Sequence, residues 1–365
     1  MSTFKVEAVR IKSIEPHPNA DRLELAQILD WRVVVGKNMY RVGELVIYLP
    51  IDSILPANVE SVLFPIDSKV KLNKSRIRTI KLRGAVSQGM VAKPETLGLT
   101  EVKEGQDVTA KLGITKYEPA EAGLPSGMNV GKADKKKENP HFKKYGGIEN
   151  AKNYPTLFNE AEEVVITEKI HGSNFRCGYV PFFATTLWDK IRKWLGMAPA
   201  YEFVYGSNNV QLQKKMSYKG YYDKNIYAEA VVNYKLDEIL KPNEVVYGEV
   251  YGDGVQKGYT YGCKPGERKF IVFDVKVNDK YLDPVAAQHF CKERGLPFVP
   301  VLYQGPFNKE NALHLTKGHS KLSPTQPIRE GVVVKMAVDR SCYIGRKMLK
   351  FISDDYLLKE ETSFQ

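Results

Sequence analysis

Residues 163–180 read Glu-Val-Val-Ile-Thr-Glu-Lys-Ile-His-Gly-Ser-Asn-Phe-Arg-Cys-Gly-Tyr-Val, and the reading of this stretch decides the fold. Val164-Val165-Ile166 is an apolar, β-rich run that leads into the polar segment Glu168-Lys169-Ile170-His171-Gly172-Ser173-Asn174. A second strand-like run, Phe175 to Val180, leads away. The pattern is strand, tight polar turn, strand. Lys169 stands at the mouth of the turn, and Gly172 marks a point where the backbone must approach a neighbour closely. His171 is open to two readings, a hydrogen-bonding support for the turn or a chemical group.

On either side of this segment the chain has room for two domains, with 365 residues of which 43% are hydrophobic. The net charge of +11 favours a polyanionic partner over a merely soluble basic protein. Cys177, Cys263, Cys291 and Cys342 lie far apart and form no C-x-x-C pair, which argues against a disulfide framework or zinc site and for a reducing compartment. Met1-Ser2-Thr3-Phe4-Lys5 does not read as a signal peptide, and no apolar run approaches membrane-spanning length. A cytoplasmic protein with no membrane partner is expected. The sequence holds no oligomer signal, so a monomer is the default.

Residues 4–56 read as closely spaced strands: Val6–Ile11, Leu23–Ile28, Arg32–Val35 and Glu44–Leu49, separated by Gly, Asn and Pro. Such spacing suggests a small β-barrel. His17, in the proline-flanked turn His17-Pro18-Asn19, reads as a turn residue rather than a ligand. Lys69, Lys71, Lys74, Arg76, Arg78, Lys81 and Arg83 alternate with Val70, Leu72, Ile77, Ile80 and Leu82. One strand with a basic and an apolar face would track a phosphate backbone. Lys74, Arg76, Arg78, Lys81 and Arg83 are the candidate RNA contacts, favoured because arginines are present and the whole chain is basic; the alternative is a solvated edge strand.

Residues 116–150 read as a linker, with Pro119, Gly123, Pro125, Gly127, Gly131 and the run Lys135-Lys136-Lys137-Glu138. Further on, Leu187, Trp188, Ile191, Trp194 and Leu195 fall at helical spacing with Lys190, Arg192 and Lys193 opposite. Core packing of the two tryptophans is the expectation. Residues 226–240 are expected to be helical. A further helix is predicted to begin at Asp283-Pro284 and end at Gly295.

Four more segments end or begin a strand with a charged residue: Val245-Val246-Tyr247-Gly248-Glu249, Phe270-Ile271-Val272-Phe273-Asp274, Arg329-Glu330-Gly331-Val332-Val333-Val334-Lys335 and Arg346-Lys347-Met348-Leu349-Lys350. Taken singly, Glu249 and Glu330 pass for surface carboxylates and Phe273 for a core aromatic. Taken in order after Lys-x-x-Gly at 169–172, these segments resemble the nucleotidyltransferase motifs of the covalent ligase and capping-enzyme superfamily. Lys-x-His-Gly is similar to RNA ligases, whereas DNA ligases usually carry aspartate at the position of His171. With His17-Pro18-Asn19-Ala20-Asp21-Arg22-Leu23, Ile51-Asp52-Ser53-Ile54-Leu55-Pro56 and Lys81-Leu82-Arg83-Gly84 added, the chain resembles RNA ligases of the Deinococcus/Naegleria type.

That resemblance implies an α+β chain: an N-terminal OB-type β-barrel over 1–115, a linker over 116–150, and a ligase-type nucleotidyltransferase domain of antiparallel sheets with flanking helices over 151–365. It implies an ATP-dependent RNA ligase with Mg²⁺ or Mn²⁺, acting on RNA ends or on nicks in RNA/RNA and RNA/DNA duplexes. Lys169 would be the nucleophile and Lys350 a second catalytic group. Glu168, Lys169, Asn174, Arg176, Glu249, Phe273, Lys335 and Lys350 would bind ATP, and Glu330 the metal. A lysine amine at its reference pKa of about 10.4 is protonated at neutral pH, so a nearby cation or metal is needed to free it. Ser207-Asn208-Asn209 departs from the family's Ser-Arg-Asn, and Met348 stands where a lysine is usual. The competing readings are a DNA ligase or GTP-using capping-type transferase, and a non-enzymatic tRNA- or RNA-binding OB protein.

Overall fold

The computed structural model describes residues 4–65, 72–117, 138–212 and 225–362. The expectations for Lys69, Val70 and Lys71, and for the linker positions Pro119, Gly123, Pro125, Gly127, Gly131 and Lys135-Lys136-Lys137, lie outside the described residues. The chain divides into two compact units: Met1–Pro119 with Glu149–Phe158 and Asp354–Gln365, and Ala120–Ile148 with Asn159–Ser353.

The first unit is built from β1 (Glu7–Arg10), β2 (Ser13–Pro16), β3 (Leu23–Ile28), β4 (Trp31–Gly36), β5 (Leu45–Leu49), β6 (Thr79–Leu82), β7 (Ala85–Gln88) and β8 (Met90–Ala92). Strands β2-β3-β4 form one antiparallel sheet, β1-β5-β8 a second, and β6-β7 a hairpin. Among the described residues these strands pair as separate sheets, not as one continuously closed barrel. Leu-Val-Ile-Tyr-Leu of β5 explains why the unit holds together. Val46 and Tyr48 point into one apolar cluster with Ile28, Trp31 and Val33, while Ile47 and Leu49 point into another with Val6, Ile77 and Val108. Side chains alternate across a strand, so an apolar run with no polar face serves two cores at once.

His17 is a structural residue, in line with its reading as part of a turn. Its Nδ1 accepts the Asn19 N–H at 3.1 Å, so Nε2 carries the proton and donates to the Leu82 carbonyl at 3.0 Å. Asn19 Nδ2 donates to the Arg83 carbonyl at 3.1 Å. The turn at 17–19 thus clamps the β6-β7 hairpin. Two later segments complete the unit: Trp31 Nε1 donates to Asn153 at 2.7 Å, and Lys152 and Gln88 both bond Asp354, at 3.1 and 3.0 Å.

The expected basic strand breaks up. Lys74 and Ser75 are left-handed, at φ 54° and 56°, and only Thr79–Leu82 of this stretch is strand. Arg76 is paired with Asp52 at 2.5 Å and lies over the Tyr117 ring; Arg78 is half-buried. Lys74, Lys81 and Arg83 are exposed. The five candidates therefore do not share one basic face.

The second unit holds β9 (Glu163–Lys169), β10 (Ser173–Pro181), β11 (Tyr201–Ser207), β12 (Glu244–Gly252), β13 (Arg268–Val277), β14 (Val301–Pro306), β15 (Gly331–Met336) and β16 (Met348–Ile352). They form two antiparallel sheets, ordered β14-β9-β15-β16 and β11-β10-β12-β13. Strands β9 and β10 do not pair as a hairpin. The turn between them carries the chain from one sheet to the other. Phe175, Cys177, Val246, Val250 and Phe270 pack one face of the second sheet against helices Ile226–Asn233 and Pro284–Glu293. That leaves the even positions of β10, Asn174 and Arg176, on the opposite face.

The helix expected after Asp283 runs over Pro284–Glu293, with Gly295 left-handed at φ 64°. The helix expected over 226–240 is broken into Ile226–Asn233 and Leu236–Ile239 at left-handed Lys235. Two expectations fail. Residues 138–148 are not a free linker, because Phe142 and Tyr145 are buried with Val180, Val204, Val245, Tyr247 and Met348. Trp188 and Trp194 are not core; they are 66% and 84% exposed.

Replacing His17 by alanine leaves the Leu82 carbonyl and the Asn19 amide without this partner. The loss expected in urea denaturation of His17→Ala is about 1–3 kcal/mol; an unchanged midpoint would remove the clamp from the account.

Candidate active site

Lys169 is the last residue of β9 and lies directly opposite Gly331 at the start of β15. Opposed residues of antiparallel strands share a face. Lys169, Thr167 and Val165 therefore face the same way as Gly331, Val333 and Lys335, and as Ile352, Lys350 and Met348 beyond them. Glu330, just before β15, sets its Oε1 2.7 Å from Lys169 Nζ. His171 brings Nδ1 to 3.6 Å from the other carboxylate oxygen. Its backbone N–H donates to the Tyr261 hydroxyl at 2.8 Å, and its ring meets Tyr259 edge to face.

Gly172 is required by space. A Cβ there would stand 2.4 Å from the Val250 carbonyl oxygen and 3.3 Å from the Glu249 Cβ. The turn lies directly against β12, and this brings Glu249 of the second sheet to the lysine of the first. Asn174 sits opposite Glu249 on β10 and bonds its carboxyl. Glu249 Oε2 and Glu330 Oε2 are sealed from solvent without a hydrogen-bond partner.

The two carboxyls titrate apart. Burial pushes Glu249 up to about 8, with Lys169 pulling it down and Glu330 adding to the rise. Burial also opposes ionisation of Glu330, but Lys169 and His171 outweigh it and hold this carboxyl at about 2. One lysine thus serves two carboxylates, and the nearer one takes most of its charge. Overall exposure of Glu249 is intermediate; the sealed oxygen, not the whole side chain, governs its titration.

Farther along the same face, Lys335 Nζ donates to the Phe273 carbonyl at 2.7 Å and to Asp274 at 3.1 Å, and lies 5.9 Å from the Phe273 ring centre. Asp274 also accepts from the Tyr145 hydroxyl and from Arg346, each at 2.7 Å. Burial works against the Asp274 charge, but Lys335 and Arg346 keep it below the ordinary carboxylate range. Tyr145 lies outside the motif segments, and Asp274 and Arg346 stand at the ends of theirs with no role assigned by the motifs. Tyr145 falls in the expected linker, and Arg346 is two strand positions from the departure at Met348. The signal that would have found Tyr145 is its aromatic ring, with Phe142, in an otherwise polar run.

Of the expected site residues, Lys169, Glu330, Glu249 and Asn174 come together. Phe273 and Lys335 are in contact, and Lys350 shares their face, opposite Val333. Two residues are elsewhere. Arg176, fully buried over the Phe142 ring, bonds the Ser207 carbonyl at 3.0 Å, the Phe142 carbonyl and Glu138 at 2.6 Å. It props up residues 138–142 and does not stand as a phosphate clamp. Glu168 turns to the other face of β9, where its Oε2 accepts the Lys321 N–H at 2.7 Å. Asn208, at the first motif departure, accepts the Tyr145 N–H at 3.0 Å. Lys347 does not stand in for the lysine absent at 348, since it pairs with Glu162 at 2.5 Å.

Among the described residues no group of three or more His, Cys, Asp and Glu is placed to hold a metal ion. The sealed oxygens of Glu249 and Glu330 do fit a hard cation of the Mg²⁺ type, which takes one or two carboxylates and completes its shell with water and substrate phosphate.

Residues 162–352 match the RNA ligase family. The chain belongs to that family. In the first unit, residues 6–94 match an OB-fold domain, as the resemblance implied. Its whole course is similar to solved structures of Naegleria gruberi RNA ligase. The complex with PPi has a TM-score of 0.75 at 24% identity, covering 99% of this chain and 100% of that one. A mutant of that enzyme with ATP and Mn has a TM-score of 0.74 at 23% identity, covering 98% of both chains. These likenesses establish the fold. A stretch of 117 residues is 32% identical to the phenylalanine–tRNA ligase beta subunit of Leptospira interrogans, and one of 118 residues is 28% identical to that of Ehrlichia ruminantium. Each takes in 31% of this chain and spans only 12% and 13% of the relative's length.

Two outcomes follow for the site. Glu249 has a raised folded pKa, so its contribution to stability is complete below about 4.5 and is lost as pH rises through about 8. Glu249→Gln removes this loss: calorimetry should find the variant more stable than wild type at pH 9 by a few kcal/mol, with the gap closing at pH 4. Gly172→Ala should separate the turn from β12 and lower the self-labelling described next by at least tenfold, at a thermal midpoint within a few degrees of wild type.

Proposed function

We propose that the chain is an ATP-dependent RNA ligase that works through an adenylate bonded to Lys169. The observation that supports it is the pairing of one strand-end lysine, at 2.7 Å, with a buried carboxylate, beside a second carboxyl on the facing strand. In the first step the Lys169 amine attacks the α-phosphorus of ATP. A nitrogen–phosphorus bond forms, the bond to the bridging oxygen breaks, pyrophosphate departs, and the amine gives up its proton. The RNA 5′-phosphate then displaces lysine from the adenylate, and a 3′-hydroxyl displaces AMP to make the phosphodiester.

The residues divide this work by position. The ion pair to Glu330 aims the amine and holds it charged in the resting site. A Mg²⁺ or Mn²⁺ ion at Glu330 would screen the phosphates and compete with the Lys169 ammonium for the same oxygens, favouring the neutral amine. Glu249 and Asn174 are placed to take the ribose hydroxyls. Phe273 presents a half-buried ring to the adenine. Lys350 and Lys335 line the way along which charge grows on the phosphates, and fixed cations there act with little reorganisation. Arg346 anchors Asp274, which in turn holds Lys335. The substrate is read as RNA ends or a nick in an RNA/RNA or RNA/DNA duplex, with phosphate contacts from the exposed Lys74, Lys81 and Arg83 of the OB-fold unit.

Incubation with ATP labelled at the α-phosphate should mark the protein covalently, and Lys169→Ala should abolish the mark. A wild type that never labels with Mg²⁺ or Mn²⁺ would defeat the reading. Lys350→Met should slow labelling by roughly 10²–10³-fold. Four nicked duplexes with RNA or DNA on each side of the break then separate RNA from DNA joining; faster sealing of the all-DNA nick would favour a DNA ligase.

A further inference from the structure

The helix Leu187–Trp194 sits inside out. It belongs to the connection between β10 and β11, whose ends are joined by the Phe182 N–H donating to the Ala200 carbonyl at 3.0 Å. A Thr186–Asp189 capping box fixes its start. Leu187, Trp188, Ile191, Trp194 and Leu195 fall at i, i+1, i+4, i+7 and i+8, which is one stripe of a helix. A surface helix ordinarily buries that stripe. Here Leu187 is 75% exposed and Trp194 84%, and Met197 extends the patch. Of the polar positions, Asp189 and Arg192 are half-buried and Lys190 and Lys193 are exposed. A contiguous exposed apolar patch of this kind marks an interaction surface.

We propose that this helix docks the protein on an anionic lipid bilayer, lying in the interface with its apolar stripe inserted. Two features select this partner. Lys190, beside the stripe, and Lys193, on the opposite side of the helix, are both exposed, while the one acid of the helix, Asp189, is held by the cap through Thr185 and Thr186. The exposed polar positions are thus cationic with no free counter-charge on the helix. Tryptophan, leucine and isoleucine above lysines match the depth profile of a bilayer interface, where the rings sit at the headgroups and the aliphatic groups below. A second copy of the chain would bring a further +11 charge and the same exposed lysines against this one. A nucleic acid would satisfy the lysines but would give the aliphatic side chains nothing to bury against.

Position supports an independent role. Asn174, which lines the active site, lies near one end of β10, and the helix follows the other end at Pro181, about 23 Å away at ~3.3 Å per residue. Docking at the helix therefore leaves the lysine and its carboxylates untouched. The sequence gives no membrane-spanning run, and no described helix is long and apolar enough to cross a membrane; a short interfacial helix needs neither.

The full chain is sedimented with vesicles of phosphatidylcholine alone and of phosphatidylcholine with phosphatidylserine, at low and high salt, without nucleic acid. It should pellet with the anionic vesicles and release at high salt. Tryptophan emission should shift to the blue, read from Trp188 and Trp194 because Trp31 is already buried. Lys190→Ser with Lys193→Ser should weaken binding about thirtyfold, each lysine near an anionic surface being worth a factor of about five. Trp188→Ser with Trp194→Ser should abolish pelleting and keep self-labelling with ATP at the wild-type rate, which shows the variant folded. Equal pelleting with neutral vesicles, no pelleting at all, or pelleting unchanged in the tryptophan variant overturns the proposal. Light scattering that shows a tryptophan-dependent dimer without vesicle binding overturns it in favour of a second copy, and binding that appears only with added RNA overturns it in favour of nucleic acid.

Discussion

Enclosing a carboxylate between two sheets costs several kcal/mol unless a cation is enclosed with it, and the second unit is arranged around that demand. Lys169 answers Glu330 at 2.7 Å, and Lys335 with Arg346 answers Asp274. The first pair ties two neighbouring strands of one sheet, and the pairs at Asp274 tie one sheet to the other, so the charges fix register as well as neutrality. Glu249 is the exception. It shares Lys169 with a closer rival and is left with a proton near neutral pH. A cleft with one carboxyl too many for its cations is well suited to a ligand that brings hydroxyls or a metal ion of its own.

The glycines and tyrosines around the lysine serve the same end by shape. Gly172 and Gly331 each lie against a neighbouring strand so closely that an added Cβ would meet a carbonyl oxygen, at 2.4 and 2.1 Å. Tyr261 holds the backbone of His171. The turn is thereby pinned on both sides of Lys169, and the amine is aimed by backbone that has little freedom to move.

What could be read in advance was what periodicity and order encode. The strands on either side of Lys169 and the helix Pro284–Glu293 with its proline and glycine follow from local pattern, while the grouping of Lys169, Asn174, Glu249 and Glu330 follows from the resemblance of the ordered segments to ligase motifs. The misses arise where the partner is distant in sequence. Arg176 resembles a phosphate clamp until Phe142 and Glu138 are folded onto it. Glu168 and Lys169 are adjacent, yet strand geometry sends them to opposite faces. Residues 138–148 read as linker because proline, glycine and lysine outnumber the two aromatics that anchor them. The Trp188–Trp194 helix was assigned to a core by its stripe alone, and a stripe does not say which way it faces.

The first unit is discontinuous in the chain. Trp31 is tied to Asn153, and Gln88 and Lys152 to Asp354. During synthesis, the amino-terminal strands would emerge long before residues 354–362, and the intervening unit could finish folding while its predecessor still lacked a piece. A nascent chain would therefore hold its OB-fold strands without the bonds of Gln88 and Lys152 to Asp354 until those last residues emerge.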